Sequence, residues 1–330
     1  MAVTTVVAAA ADVHPLRSRT SRRAVKRVLF LLGALFAVNV LLPQVAQTGA
    51  TGRALLGARW GWIAVTAAAS ALTYLAAAIA LMGGAGRRLH LGRTWAAQVA
   101  AAFTNRLAPA GIGGMATNVR YLEASGTGTP EAVAAVGLNS VAGFVVHLVG
   151  VLAVLPLLGA THAQLHLGGP DLADHWPLLA VVVVGLAGAG IVRWGARIRR
   201  RAVPPAAEAL RALASTLRNP HAALALIGGS IGVTAGYALA LVAAAHAVFV
   251  GLPVATIVAV YLGGAAVASV APTPGNLGAL EAALVAGLTA AGAASGPAVA
   301  TVLIYRLVTF WLPIVPGCFA YRALRRQGAV

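Results

Sequence analysis

The sequence predicts an all-α, polytopic membrane protein built as a helical bundle, on two observations. Sixty percent of its 330 residues are hydrophobic and 9% are charged, with a mean hydropathy of +0.86. A soluble domain of this length needs more charge on its exterior. The apolar residues also fall in runs that match a bilayer, which takes about 20 residues per helix. The net charge of +17 would suggest nucleic acid in a soluble chain. Here the cations lie between apolar runs, so they set orientation and meet anionic headgroups, and no nucleic-acid partner is expected.

Full spans are expected at 28–47, 60–82, 131–159, 176–194, 221–249 and 297–320, and two further apolar regions, 94–126 and 254–294, are interrupted by Pro and Gly. The basic residues set the sides. The N-terminal arm, 1–27, carries Arg17, Arg19, Arg22, Arg23, Lys26 and Arg27 and is placed in the cytoplasm. Residues 48–59 then lie outside, and Arg87, Arg88 and Arg93 return the chain inside. Segment 160–176 has no Lys or Arg and contains Asp171 and Asp174, so it lies outside, whereas the arginines from Arg193 to Arg218 lie inside, as do Arg322, Arg325 and Arg326. Parity requires 94–126 to begin and end in the cytoplasm and 254–294 to begin and end outside. The two regions are therefore hairpins entering from opposite faces, as in an inverted repeat. The organisation is six full spans plus two oppositely oriented interrupted hairpins, about eight membrane segments, with both termini cytoplasmic. One membrane domain, 28–322, sits between the arm and a cytoplasmic tail, 323–330. The first hairpin, whose return arm 115–126 carries Arg120, Glu123 and Gly126, is expected to insert less deeply. Residues 1–47 also fit a cleaved signal peptide, which would remove one span and leave the other orientations intact.

The two breaks are the candidate site. The first carries Asn105, Arg106, Pro109, Gly111, Gly113 and Gly114, with Arg120 beyond it. The second carries Pro272, Pro274, Gly275, Asn276 and Gly278. A helix that restarts at membrane depth exposes backbone N–H groups and partial positive charge, which suits a phosphate, and glycines let backbone approach it. Arg106 and Arg306 add charge pairing. The alternative is that these glycines only permit close helix packing. Arg306 lies inside an apolar run, where a charge costs about 2.5–3.5 kcal/mol. Glu281 is its nearest candidate partner, and Glu123 is the counterpart in the other hairpin. The two carboxylates are read either as a gate or proton relay or as structural ion pairs.

Other residues carry less. Cys318 is the one cysteine and Lys26 the one lysine, which excludes an internal disulfide and a phosphate-loop lysine, so the chain is not itself an ATP-driven pump. His147 and His246 read as hydrogen-bonded interior residues. His162 and His166 have zinc-like spacing beside Asp171, Asp174 and His175, but Gly168, Gly169 and Pro170 argue for a loop there. No metal, cofactor or catalytic residue is expected. Residues 204–218 allow an amphipathic interfacial helix.

At Asn105-Arg106-Leu107-Ala108-Pro109-Ala110-Gly111-Ile112-Gly113-Gly114, Arg120-Tyr121-Leu122-Glu123 and Pro272-Thr273-Pro274-Gly275-Asn276-Leu277-Gly278-Ala279-Leu280-Glu281 the chain resembles the lysylphosphatidylglycerol synthase transmembrane region, also called the flippase-like domain family. Tyr305-Arg306-Leu307, Trp311-Leu312-Pro313 and Gly317 extend the likeness, which covers about residues 25–322. Where the family commonly has glycine, this chain has Asn276. The resemblance implies translocation of a membrane phospholipid or polyprenyl-linked lipid between leaflets of the cell (plasma) membrane. The family's bifunctional members carry a soluble aminoacyl-transferase domain, and without one lysine transfer is not expected, so the chain reads as a transporter rather than an enzyme. The other readings are a membrane subunit or enzyme of lipid-linked glycan or phospholipid modification, or a scaffold for a lipid-modifying enzyme partner.

Overall fold

A computed structural model describes residues 48–107, 112–161, 218–269 and 276–330. The expected spans 28–47 and 176–194, the N-terminal arm, the loop with His162 to His175, and the basic segment up to residue 217 lie outside the described residues. Within them every element is helical: α1 (Thr48–Leu56), α2 (Trp60–Ala85), α3 (Leu91–Leu107), α4 (Ile112–Ala124), α5 (Thr129–Thr161), α6 (Pro220–Ala247), α7 (Val254–Ser269), α8 (Ala279–Ala290), α9 (Ser295–Arg306), a π-helical turn (Leu307–Trp311) and α10 (Ile314–Arg326). Four described stretches are long and apolar enough to cross a membrane: Trp60–Ala85, Thr129–Val154, Pro220–Ala247 and Ser295–Arg326. The protein is a multi-pass helical membrane protein. Two boundaries differ from expectation. Residues 48–56, expected as part of an outer loop, form α1, which buries Thr51 and meets Gly296 of α9 through Ala50. The 323–330 tail is helical to Arg326, and Ala329 and Val330 rest against a buried cluster that includes Leu81, Leu122 and Leu324.

Antiparallel packing of α2 on α6 forms the scaffold. A Cβ added at Gly83 would fall 2.6 Å from the Ala222 carbonyl oxygen, and one at Gly229 would fall 2.6 Å from that of Ala76. Such small residues let helix backbones touch where lipid supplies no hydrophobic drive. Arg59 closes one end of the seam. Its backbone N–H donates to Ala247 O at 2.9 Å and its Nη2 to His246 O at 2.7 Å, which satisfies carbonyls that α6 leaves without intrahelical donors. The His246 ring stacks on Trp62 at 4.8 Å. At the other end Asn219 caps α6, its side-chain oxygen accepting from His221 N at 3.1 Å, with Pro220 at the first helical position.

Each end of this scaffold carries one interrupted helix pair. α3 follows α2 directly, and α4 leads into α5. Arg87 ties the two connections together, donating from Nη1 to Gly126 O at 2.7 Å, so both open ends of the α3/α4 pair lie at the Ala85 end of α2. α7 follows α6 directly, and α8 leads into α9, whose Gly296 meets α1 near Trp60. The open ends of the α7/α8 pair therefore lie at the opposite end of the scaffold.

The arms match: 17 and 13 residues in the first pair, 16 and 12 in the second. The first is not the shorter one, and its polarity is spent internally. Thr94 Oγ1 and Tyr121 OH lie 2.8 Å apart, Gln98 Nε2 donates to Asn118 Oδ1 at 3.0 Å, and Thr104 Oγ1 meets Thr117 Oγ1 at 2.8 Å. This ladder zips α3 to α4, so polar residues that read as shallow insertion serve as interhelical hydrogen bonds.

The seam makes a paired prediction. Gly229→Ala is expected to lower unfolding stability in mixed micelles by about 1–3 kcal/mol through overpacking. Its neighbour Gly228, around which an added Cβ meets nothing within 4 Å, should accept Ala at no cost or gain up to about 1 kcal/mol.

Candidate functional site

The last long helix changes pitch at its middle. Leu312 N–H donates to Leu307 O at 2.8 Å, five residues back, which makes 307–311 a π-turn, a feature common at functional sites. Pro313 follows, and proline has no N–H. The Thr309 carbonyl, four residues earlier, therefore lacks its intrahelical donor, and Arg106 supplies one from α3: Nη2 donates to Thr309 O at 3.1 Å. Arg106 Nη1 donates to Ala102 O in its own helix.

Arg306 stands where α9 meets this turn, 5% exposed. Its Nε donates to Glu281 Oε1 at 2.7 Å. The other carboxylate oxygen, Oε2, accepts from Gly278 N–H at 2.9 Å. One side chain thus caps the restart of α8 and holds that restart to α9. Phe310, one turn after Arg306, carries both cations. The Arg306 Cζ lies 4.4 Å from its ring centroid and the Arg106 Cζ 4.8 Å, cation–π contacts worth about 0.5–2 kcal/mol each. Arg106 meets no carboxylate among the described residues. Two guanidiniums therefore converge on one ring, and one of them is paired with a carboxylate. At 1.5 Å per residue Arg306 lies about 17 Å from the start of α9 and Arg106 about 22 Å from the start of α3. With α3 and α9 starting at opposite ends of the scaffold, the convergence is deep within the bundle.

The restarts differ from the picture of free backbone donors. Gly114 N–H donates to Asn105 Oδ1 at 3.1 Å, so Asn105 caps α4 across the break. Gly113 is packed directly on the Thr104 carbonyl, which is the close-packing role. Gly278 N–H is held by Glu281. Asn276 has φ 55° and Gly278 φ 84°. Asn276 is left-handed here, and asparagine is among the few residues other than glycine that tolerate it. Pro109, Gly111, Pro272, Pro274 and Gly275 lie outside the described residues.

Two expectations need correction. Glu123 sits one residue from the end of α4, which starts at Ile112, so it lies about 17 Å of helix rise from the break. Glu281, in contrast, is in the first turn of α8. The two are not counterparts, and Glu123 does not reach the arginine cluster. Arg120 is exposed on the same distal half of α4. The histidines take interior roles: His147 Nε2 lies 3.2 Å from Leu262 O, and His246 stacks as described above.

The sequence reading missed Thr309, Phe310 and Pro313 as parts of the site. Phe310 was accessible by spacing, since i and i+4 side chains meet on a helix. The freed Thr309 carbonyl follows from proline four residues on. Apart from this cluster, a groove of about 600 Å³ runs between α5, α6 and α7, lined by uncharged residues including Leu138, Val145, Ile227 and Leu262. None of the candidate residues lines it.

The family described as lysylphosphatidylglycerol synthase TM region matches residues 27–317. No curated protein matches the chain.

Glu281→Ala is expected to lower stability in mixed micelles by about 3–5 kcal/mol, because the buried Arg306 loses its carboxylate. Glu281→Ala combined with Arg306→Met should lose less than the single variant, since the stranded charge is removed with its partner. Equilibrium unfolding of the three proteins checks both statements.

Proposed function

The chain belongs to the lysylphosphatidylglycerol synthase transmembrane-region family, and from that premise we propose that it moves a phosphate-bearing lipid, or a lipid-linked headgroup, between leaflets. The observation that carries this reading is the convergence of Arg106 and Arg306 on Phe310, with Glu281 as the one carboxylate there among the described residues. That leaves one positive charge deep in an apolar bundle, where a centred charge costs about 2.5–3.5 kcal/mol. A phosphodiester headgroup carries the single negative charge that neutralises it, and Arg pairs with phosphate through two parallel donors.

The same geometry suggests a gate. A phosphate at Arg306 competes with Glu281 for that guanidinium. Displacing Glu281 also frees the Gly278 N–H at the restart of α8, which adds a donor for the arriving anion. The matching arms of α3/α4 and α7/α8 support an inverted-topology repeat. Arg87, Arg88, Arg93, Arg322, Arg325 and Arg326 support a cytoplasmic placement of the Ala85 end and of the C-terminus, in the plasma membrane. In this reading the protein is a carrier and performs no bond chemistry on its lipid, which an enzyme partner in the same membrane supplies.

Proteoliposomes of phosphatidylcholine doped with fluorescent phosphatidylglycerol test the proposal, with dithionite quenching the outer leaflet. Faster leaflet exchange than in protein-free vesicles is expected. Arg106→Ala and Arg306→Ala should each slow it about tenfold or more, the scale of one lost charged hydrogen bond. Exchange equal to that of empty vesicles would remove the carrier reading in favour of an enzyme subunit or scaffold.

A further inference from the structure

Tyr74 lies at the middle of α2, 8% exposed, and its O–H meets no acceptor in bonding geometry among the described residues. A buried donor left unpaired is costly, so its persistence asks for a reason. The guanidinium facing it is that of Arg106, which acts on the phenol oxygen as a charge and as a hydrogen-bond donor, and the Tyr237 hydroxyl from α6 is also within electrostatic reach. Arg106 has spent Nη1 on Ala102 O and Nη2 on Thr309 O, whereas its Nε is buried and unpartnered. The phenol oxygen lies within the guanidinium's hydrogen-bonding influence, whereas the phenol O–H proton and the Nε–H meet no acceptor in bonding geometry among the described residues, beside a cation that meets no carboxylate among them. Tyr74 belongs to the scaffold helix, locked to α6 through Gly83, Gly229 and Gly236, so it offers a fixed wall against which the tip of α3 can hold a ligand.

We propose that Tyr74 and Arg106 form an anion clamp, in which the phenol O–H and the Nε–H both donate to one non-bridging oxygen of a phosphate group. Tyr74 is then a headgroup-binding residue on a span outside both hairpins. This rests on the carrier reading and adds to it a residue and an ordered division of labour: Tyr74 and Arg106 take one oxygen, and Arg306 on Phe310 takes another. The shared chemistry is phosphate, from a lipid headgroup or from free phosphate.

Calorimetric titration of the purified full chain in detergent tests the clamp, with dihexanoyl phosphatidylglycerol and inorganic phosphate as separate probes. Tyr74→Phe removes only the hydroxyl. It is expected to weaken binding about tenfold without lowering the thermal unfolding midpoint. Loss seen with both probes supports a clamp that reads phosphate itself, and loss with the lipid probe alone supports one that reads the lipid headgroup. If the wild type binds and Tyr74→Phe binds equally well, as it would if a water filled the gap, the clamp is wrong and the carrier reading stands. A lowered midpoint with unchanged affinity also overturns it, since Tyr74 would then be structural. If the wild type binds neither probe, the carrier reading and the clamp fall together.

Discussion

Glu281 is the joint on which the centre of this protein turns. Its two oxygens reach two different elements, Gly278 N–H at the restart of α8 and the Arg306 guanidinium on α9. A carboxylate and a guanidinium at this depth tolerate each other because each neutralises the other, and because the carboxylate's second oxygen also has a donor. Without that arrangement α8 would begin with an uncapped N-terminus and Arg306 would carry an unmatched charge. The pair therefore fixes where the second hairpin ends, how the last span is anchored, and which face of Phe310's helix points inward.

The first hairpin meets the same centre by a different route. Its restart is capped by a neutral side chain, Asn105, and its arms are zipped by Thr, Gln, Asn and Tyr pairs rather than by an ion pair. Its cation, Arg106, meets no carboxylate among the described residues and is held by a carbonyl that Pro313 has released and by the Phe310 ring. Two hairpins with similar arm lengths thus bring unlike chemistry to one place: an arginine paired with a carboxylate from one side and one that meets no carboxylate among the described residues from the other. A site of that kind favours one anionic guest, and it gives a built-in competitor, Glu281, for one of its two cations.

Much of this was legible in the sequence, and the failures have physical causes. The pairing of Arg306 with Glu281 was inferred because a charge inside an apolar run needs a partner and few candidates exist. The four described spans were read from length and hydropathy, which the bilayer imposes on any helix that crosses it. Glu123 was misplaced because motif likeness ignores helix rise: it follows Gly114 by nine residues, while Glu281 follows Gly278 by three. Tyr74 was invisible, since a phenol in a span becomes meaningful only when α3 and the π-turn close around it. The polarity of 115–126 was misjudged for the same reason, because its partners, Thr94, Gln98 and Thr104, lie on the preceding arm.

The central claim is that the space between the two hairpin tips holds a phosphate. Electron cryomicroscopy of the protein in nanodiscs of phosphatidylglycerol measures it directly. The account predicts phosphate density between Arg106 and Arg306, within about 2.7–3.2 Å of donors on both sides, with Glu281 displaced from Arg306. Tips that hold only side chains and water in every particle class, with lipid phosphates confined to the two membrane surfaces and Glu281 still paired, would contradict it.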